Sequence, residues 1–463
     1  MNALFERLHY QAQANPNAIA IRSEAKQLSY AELVRLVQLR AQQLHQRSQQ
    51  IFLLAVSEPM TWVIEDLALM LANKVCIPVP PFFSQRQQQY LQQQANSAKP
   101  LPPATSKVTF TSGSTGDPKG VCLSVENQLT TVAALAERVA GADVKRHLVI
   151  MPLAVLLENV AGVYLALWLG AEVVLLSNET LGLKGSSSLQ LESFFAALKQ
   201  YQPDSLILTP ALLDAVVTGL ERGFINAKSF KLLAVGGARL SRTLEHRALA
   251  LKLPIVQGYG LSEFGSVVSL NTPESIAPGT VGKPLSHAQV TLNNGELVVQ
   301  GNAMLGYWND QSSWFPTQIY TGDLGEFDDQ GRLTILGRRK HIIVTDYGRN
   351  IDPEWIESEL CSQPGIYQSA VIGDEQMPLT ALLVLMPSTT KAQVDAAVDR
   401  VNRLLPDYAR VKRHIELTEP FTVTNGLLTG TGRLRRQALQ TLAQQLFGAQ
   451  HKSSINEVRD EIF

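Results

Sequence analysis

The feature that most constrains this chain is an alternation, sustained through its first half, of amphipathic stretches at helical period with short runs of β-forming residues. Residues 31–44 repeat apolar side chains at helical spacing, 51–56 read as a strand, 62–71 as a helix and 75–79 as a strand. Further strands are expected at 107–110, 148–151, 172–176, 205–208 and 232–235, with helices at 127–139, 160–169, 191–200 and 210–218 between them. Strands this uniformly apolar are buried on both faces, so helices must cover the sheet on each side. The expected fold class is α/β, built as stacked layers.

From about residue 279 the pattern changes to short strands with turn signals, among them Asn293-Asn294-Gly295 and Asp328-Asp329-Gln330-Gly331, which indicates a small β-rich subdomain over about 279–336. After Arg338 a third pattern begins. A strand is expected at 340–344, a helix capped by Asp352 and opening on Pro353, strands at 370–372 and 381–386, and a long helix over 391–405. A length of 463 residues, 45% of them hydrophobic, is too much for one compact unit. The organisation expected is a large N-terminal domain, 1–338, and a small α+β C-terminal domain, 339–463, joined at 338–340.

Composition excludes several classes. With 40 basic and 41 acidic residues the formal net charge is −1, which gives no general attraction to nucleic acid. Cys76, Cys122 and Cys361 are odd in number and far apart, as reduced core cysteines would be, and no HExxH or GxSxG run is present. The longest apolar region, 148–176, is broken by Glu158, Asn159 and Glu172, and its uncharged part, 160–171, falls short of the ~18 residues a spanning helix needs. No integral membrane segment and no secretory pattern is expected, which points to the cytoplasm. The glutamine-rich stretches 38–50 and 85–94 read as solvated helix faces.

Against this background one loop is chemically pointed. The strand at 107–110 runs into Thr111-Ser112-Gly113-Ser114-Thr115-Gly116-Asp117-Pro118-Lys119-Gly120, where backbone N–H groups and hydroxyls can surround phosphate oxygens and Lys119 adds positive charge. The spacing is not that of a Walker A loop. Gly258-Tyr259-Gly260 suits close approach to a flat purine with Tyr259 stacking, and Ser262 and Glu263 place a hydroxyl and a carboxylate nearby. A carboxylate beside phosphates is reasonable only with a cation between them, and Mg²⁺ fits. Gly236-Gly237-Ala238 follows a strand, and Asp323 and Arg338 can together accept and donate hydrogen bonds to ribose hydroxyls.

Taken in order, Thr111–Gly120, Gly258–Glu263, Tyr320-Thr321-Gly322-Asp323, Leu336-Gly337-Arg338 and Gly348-Arg349-Asn350-Ile351 resemble the adenylate-forming superfamily, which activates carboxylic acids with ATP. Pro152–Asn159, Gly348–Ile351 and Asn425–Thr429 look most like long-chain fatty acyl-CoA synthetases. The resemblance implies ATP and Mg²⁺ as cofactors, Glu263 as the metal-associated acid, Gly237 and Ala238 at the nucleotide, and Lys340 as the hinge of a mobile C-terminal domain. It also implies Val155, Leu156 and Gly162 as residues lining the acid, and coenzyme A or a carrier protein's phosphopantetheine as acceptor. The apolar run after Pro152 suits an aliphatic chain; an aryl or other small acid is the alternative.

The chain departs from that pattern. Val155 and Val125 stand where long-chain synthetases usually have histidines, and the connector 99–106 is short. Arg433, in Asn425-Gly-Leu-Leu-Thr-Gly-Thr-Gly-Arg433, stands where the superfamily has the lysine that bridges the attacking carboxylate and the α-phosphate. Its planar fork presents donors differently from an ammonium. Slow adenylation, or a nucleotide-binding homologue of low activity, is the corresponding expectation.

Overall fold

The computed structural model describes residues 2–97, 99–111, 119–184, 188–344, 349–374, 377–429 and 432–446. Its contacts separate two compact units, Met1–Ile335 and Leu336–Phe463.

In the first unit a nine-stranded sheet runs in the order Lys283–Pro284, Ser266–Leu270, Ile255–Leu261, Leu232–Val235, Ser205–Leu208, Arg146–Val149, Glu172–Leu175, Ile19–Arg22, Gln27–Ser29. The six strands from Ile255–Leu261 to Ile19–Arg22 are parallel, and antiparallel partners flank them at both ends. Every residue of Glu172–Leu175 and Ser205–Leu208 is buried, as two-sided coverage demands. A second, five-stranded sheet runs Gly306–Tyr307, Lys119–Leu123, Lys107–Thr111, Val75–Pro78, Ile51–Leu54. The β-rich part holds Gln289–Asn293, Glu296–Gln300, Ile319–Phe327 and Leu333–Arg338, the strand in which the first unit passes into the second. Asn294 and Gly295, at φ 49° and 77°, join the first two of these as a tight hairpin, the conformation that an Asn-Gly pair favours.

Local sequence accounts for the covering helices. Tyr30–His45 starts at a reciprocal capping box between Ser29 and Glu32 and buries Tyr30, Leu33, Val34, Val37, Ala41 and Leu44, a single stripe. Pro59–Leu71 begins with proline at its first turn, below Glu58, whose carboxylate accepts from the N–H groups of Met60 and Thr61. The glutamine-rich helix Gln85–Ala95 buries Leu91 alone.

The stretch 160–169 is not the plain α-helix its periodicity suggests. It opens as a π-helix, Glu158–Tyr164, and becomes α-helical over Leu165–Leu169. Two buried polar side chains at its start have separate partners. The Glu158 carboxylate meets His147 Nε2 at 2.9 Å and accepts the Met151 N–H at 3.0 Å. Asn159 Nδ2 donates to Asp66 at 2.9 Å while its carbonyl oxygen accepts from Lys107 Nζ. Lys107 is 2% exposed and also reaches Asp66 Oδ1 at 2.9 Å and the Tyr164 hydroxyl at 2.9 Å. The π-helix is thus tied to the nine-stranded sheet through His147 and to the five-stranded sheet through Lys107.

The second unit is built on the strands Ile366–Asp374, Met377–Leu385 and Arg413–Leu417. Alternation sorts its two cores: Val371, Ala381 and Leu383 pack toward the helices Pro353–Cys361 and Lys391–Leu404, whereas Ala370, Ile372, Leu382 and Val384 pack toward Phe421, Leu428, Leu439 and Ala443. The expected strand at 340–344 is instead a 3₁₀ turn, Arg339–His341, followed by the short strand Ile343–Val344, paired with Asn350–Ile351. Cys76 and Cys122 are buried, but Cys361 is exposed at the end of its helix, contrary to the expected core position.

Removing one partner of a buried ion pair leaves a charge without compensation, so Lys107→Met should destabilise the first unit by about 3–5 kcal/mol. Adding Asp66→Leu should recover much of that loss. Denaturant titration of both variants checks the order.

Candidate active site

Thr111 and Lys119 stand opposite each other at the open end of a hairpin, the last residue of Lys107–Thr111 paired with the first of Lys119–Leu123. Ser112, Gly113, Ser114, Thr115 and Gly116, between these two feet, lie outside the described residues. Lys119 Nζ sits 5.2 Å from the centroid of the Tyr307 ring, a cation–π contact. The Tyr307 hydroxyl in turn donates to Glu263 Oε1 at 3.0 Å. Burial, and then the Glu263 carboxylate, push the Tyr307 phenol well above its ordinary value, so it remains a donor. Tyr307 was absent from the motif reading: it occupies the short strand that pairs with Val121, and only that pairing brings it beside Lys119.

Glu263 is carried by a 3₁₀ turn, Ser262–Phe264, closed by Gly265 at φ 69°. The Glu263 carbonyl accepts the Met304 N–H at 2.8 Å, which ties the turn to the segment leading into Tyr307. Ser262 is half-buried at the head of that turn. Below Glu263, Phe264 is fully buried and stacks on His287, with ring centroids 5.4 Å apart. Burial lowers His287 to about 4.

Gly258, Tyr259 and Gly260 belong to the strand Ile255–Leu261, whose pairing with Ser266–Leu270 shifts register between Tyr259 and Gly260. The neighbouring strand accounts for both glycines. A Cβ on Gly260 would lie 1.8 Å from the Ser266 carbonyl oxygen, and one on Gly258 would lie 2.9 Å from Leu270 Cδ1. Tyr259 is anchored by its hydroxyl, which donates to Asp323 Oδ2 at 2.7 Å. Asp323 is 4% exposed, and its N–H donates to Thr321 Oγ1 at 3.0 Å, which fixes the Tyr320–Asp323 motif within the strand Ile319–Phe327, where Gly322 takes φ 72°.

Gly236, Gly237 and Ala238 follow the carboxyl end of Leu232–Val235. Gly237 has φ 82° with open space where a Cβ would stand, and Ala238 is exposed. A Cβ on Gly236 would lie 3.8 Å from the Gly258 carbonyl oxygen and 3.8 Å from Leu157 Cδ2. Three segments therefore converge at the carboxyl ends of parallel strands, where open α/β sheets bind ligands. Of the acid-lining residues read from the sequence, Val155 is half-buried and Leu156 is buried in the core. Gly162 packs inward: a Cβ there would lie 2.2 Å from Glu158 Oε1 and 2.7 Å from His147 Nε2. The side chain that reaches the Gly236 loop is Leu157, one residue beyond the pair expected.

In the second unit, Arg338 ends the strand Leu333–Arg338 half-buried, and Lys340 is exposed in the following turn. Lys340, His341 and Arg436 border a cavity of about 510 Å³ in this unit. Arg433 is exposed. Burial pushes the Glu354 carboxyl up, but the hydrogen bond from His341 and the positive charges of Arg436, His341 and Arg433 outweigh it and bring the group down to about 2.

Among the described residues no group of three or more His, Cys, Asp or Glu side chains is placed to hold a metal. One carboxylate with one oxygen engaged by tyrosine is the donor set expected for an Mg²⁺ ion that arrives on phosphates. No helix among these residues is long and apolar enough to cross a membrane.

Residues 92–308 match the family model described as AMP-binding enzyme. Over 238 residues the chain is 33% identical to the long-chain-fatty-acid–CoA ligase FadD15 of Mycobacterium bovis, covering 44% of this chain and 39% of that protein. Over 351 residues it is 28% identical to a 2-succinylbenzoate–CoA ligase of Staphylococcus aureus, covering 72% of this chain and 66% of the relative. The chain thus spans about two fifths of the length of the FadD15 proteins it matches. Among solved structures, the o-succinylbenzoate coenzyme A synthetase of Bacillus subtilis, in complex with ATP and magnesium, superimposes with a TM-score of 0.74 at 21% identity, over 94% of this chain and 99% of that one.

His287 is neutral in the fold and carries an ordinary histidine value of ~6.5 when unfolded. Its contribution to stability is complete above that value and is lost as pH falls from there toward about 4. His287→Phe should therefore flatten the decline in melting temperature between neutral pH and pH ~4.5, measured by thermal unfolding in matched buffers.

Proposed function

We propose that this chain, whose residues 92–308 match the AMP-binding enzyme family model, acts as adenylate-forming enzymes do, by ATP-dependent activation of a carboxylic acid and its transfer to a thiol. A carboxylate oxygen attacks the α-phosphorus of ATP, forming the acyl–O–P bond as the bond to the β-phosphate oxygen breaks and pyrophosphate leaves. The thiolate of coenzyme A then attacks the acyl carbon, and AMP departs with the bridging oxygen. The observation that supports this reading is the chain Lys119–Tyr307–Glu263, which links a cation at the foot of the glycine-rich loop to a carboxylate through one tyrosine.

Each residue has a role in that scheme. Lys119 and Thr111 face phosphate, a part that the resemblance also gives to residues 112–116, and Glu263 would hold Mg²⁺, which would neutralise phosphate charge. Tyr259, fixed by Asp323, flanks the purine, with Gly258, Gly260, Gly237 and Ala238 around it, and Asp323 and Arg338 serve the ribose. Val155 and Leu157 face the acid. Arg433 serves the adenylation step, and Lys340 is the hinge of the second unit.

The acid is read as a fatty acid, on the resemblance of Pro152–Asn159 and the 33% identity to FadD15. An aryl acid is the second reading, favoured by the longer match, over 72% of the chain, to 2-succinylbenzoate–CoA ligase. Acid-dependent ATP–pyrophosphate exchange across straight-chain fatty acids of graded length and several aryl acids separates the two. Exchange that strengthens with chain length supports the first; exchange confined to aryl acids supports the second. Exchange with no acid rejects the activity.

Two variants test the roles. Arg433→Lys, which exchanges the planar fork for a compact ammonium, should raise the exchange rate severalfold; an unchanged rate removes Arg433 as a brake. Glu263→Gln should raise the Mg²⁺ concentration for half-maximal exchange by about tenfold, the size of one lost charge-assisted contact, without moving the melting temperature.

A further inference from the structure

Arg433 is exposed, and the backbone that carries it sets where its side chain begins. The Thr429 N–H donates to the Arg433 carbonyl at 2.7 Å, the Arg433 N–H to Thr429 Oγ1 at 3.1 Å, and the Arg435 N–H to the Leu427 carbonyl at 2.9 Å. Leu428 and Leu434 form a bridge across the turn, and Leu428 is buried against the three-stranded sheet. These contacts shape the hairpin. They do not by themselves set its direction against the helix Pro353–Cys361, on the opposite face of the sheet.

One side chain reaches across. Arg436 opens the helical residues 436–446, where the helix dipole disfavours a cation. Its guanidinium is nonetheless mostly buried and grips Glu357 with both nitrogens: Nη2 donates to Oε2 at 2.6 Å and Nη1 to Oε1. The same Glu357 Oε1 accepts the Val371 N–H at 2.6 Å, and Arg436 Nη1 reaches the Val371 carbonyl at 3.4 Å. One turn earlier on the helix, Glu354 meets His341 Nδ1 at 3.3 Å and Arg436 Nη2 at 3.9 Å. Two carboxylates on one helix face thus bind the turn after Arg338 and the base of the arginine hairpin together.

A buried ion pair is a weak source of net stability, because desolvating both charges offsets most of their attraction. A two-point fork fixes orientation as well as distance. We infer that Glu357, acting through Arg436, is a positioning residue that sets the aim of Arg433 in the adenylation step. This rests on the role proposed for Arg433 and adds to it the group that makes that role geometrically reliable.

The test compares two half-reactions in the full-length protein: acid-dependent ATP–pyrophosphate exchange, and thioester formation from coenzyme A and a chemically prepared acyl-adenylate of the best exchange substrate. Glu357→Gln keeps shape and loses charge; Arg436→Lys keeps charge and loses the fork. Each should lower the exchange rate about 10- to 100-fold, the scale of a misplacement near 1 Å, while thioester formation stays within about twofold. On an Arg433→Ala background, Glu357→Gln should add nothing, since both act through one group. An equal fall in both half-reactions, an undiminished loss on the Arg433→Ala background, or unchanged exchange in both variants overturns the inference. If Glu357→Gln fails to fold, Arg436→Lys carries the same comparison. Absence of exchange in the wild-type chain overturns the proposed function itself, and this inference with it.

Discussion

A lysine cannot be shut away from water at the first position of a strand unless its charge is met on every side, and Lys107 imposes that requirement on the first unit. Asp66 from the helix Pro59–Leu71, and Asn159 and Tyr164 from the π-helix, meet it. The strand that Lys107 begins ends four residues later at Thr111, the near foot of the glycine-rich loop. The π-helix in turn holds Glu158 against His147 of the nine-stranded sheet. Satisfying one cation therefore ties the two sheets to the same π-helix, and with them the strand that ends at Thr111.

Much of the layered architecture was legible in the chain. Largely apolar strands such as Leu232–Val235 lie in the buried core of the sheet, and an Asn-Gly pair makes the hairpin it advertises. What could not be read was set by partners distant in sequence. The π-helix arises where Glu158 and Asn159 bind different sheets, and no periodicity encodes that. Among the described residues, the stretch 340–344 pairs through Ile343–Val344 with Asn350–Ile351, and the residues before it, Arg339–His341, take a 3₁₀ turn.

The site was legible to a similar depth. Thr111, Lys119, Glu263 and Tyr259 were found through motifs, whereas Tyr307 sits in an unremarked segment and acts through a two-residue strand that pairs with Val121. Residues 155, 156 and 157 share one apolar character, and only the fold tells that Leu157 is the side chain beside Gly236. Gly258 and Gly260 show how one residue type answers two demands. Read alone they suggest room for a ligand; in place, the Ser266 carbonyl already excludes a larger side chain at Gly260, and Leu270 and the Ser269 carbonyl crowd one at Gly258.

The π-helix also has a bearing on how related chains are to be lined up. A turn closed by i→i+5 bonds holds one residue more than an α-helical turn of the same rise. A homologue with an ordinary α-helix at Glu158–Tyr164 would therefore lack one residue there, and a gapless alignment through the segment would be correct on one side and out of phase on the other. Val155 and Leu157 lie before that point, Leu165 and Leu167 after it. The π-turn therefore divides the segment into two registers, each corresponding independently to an ordinary helix.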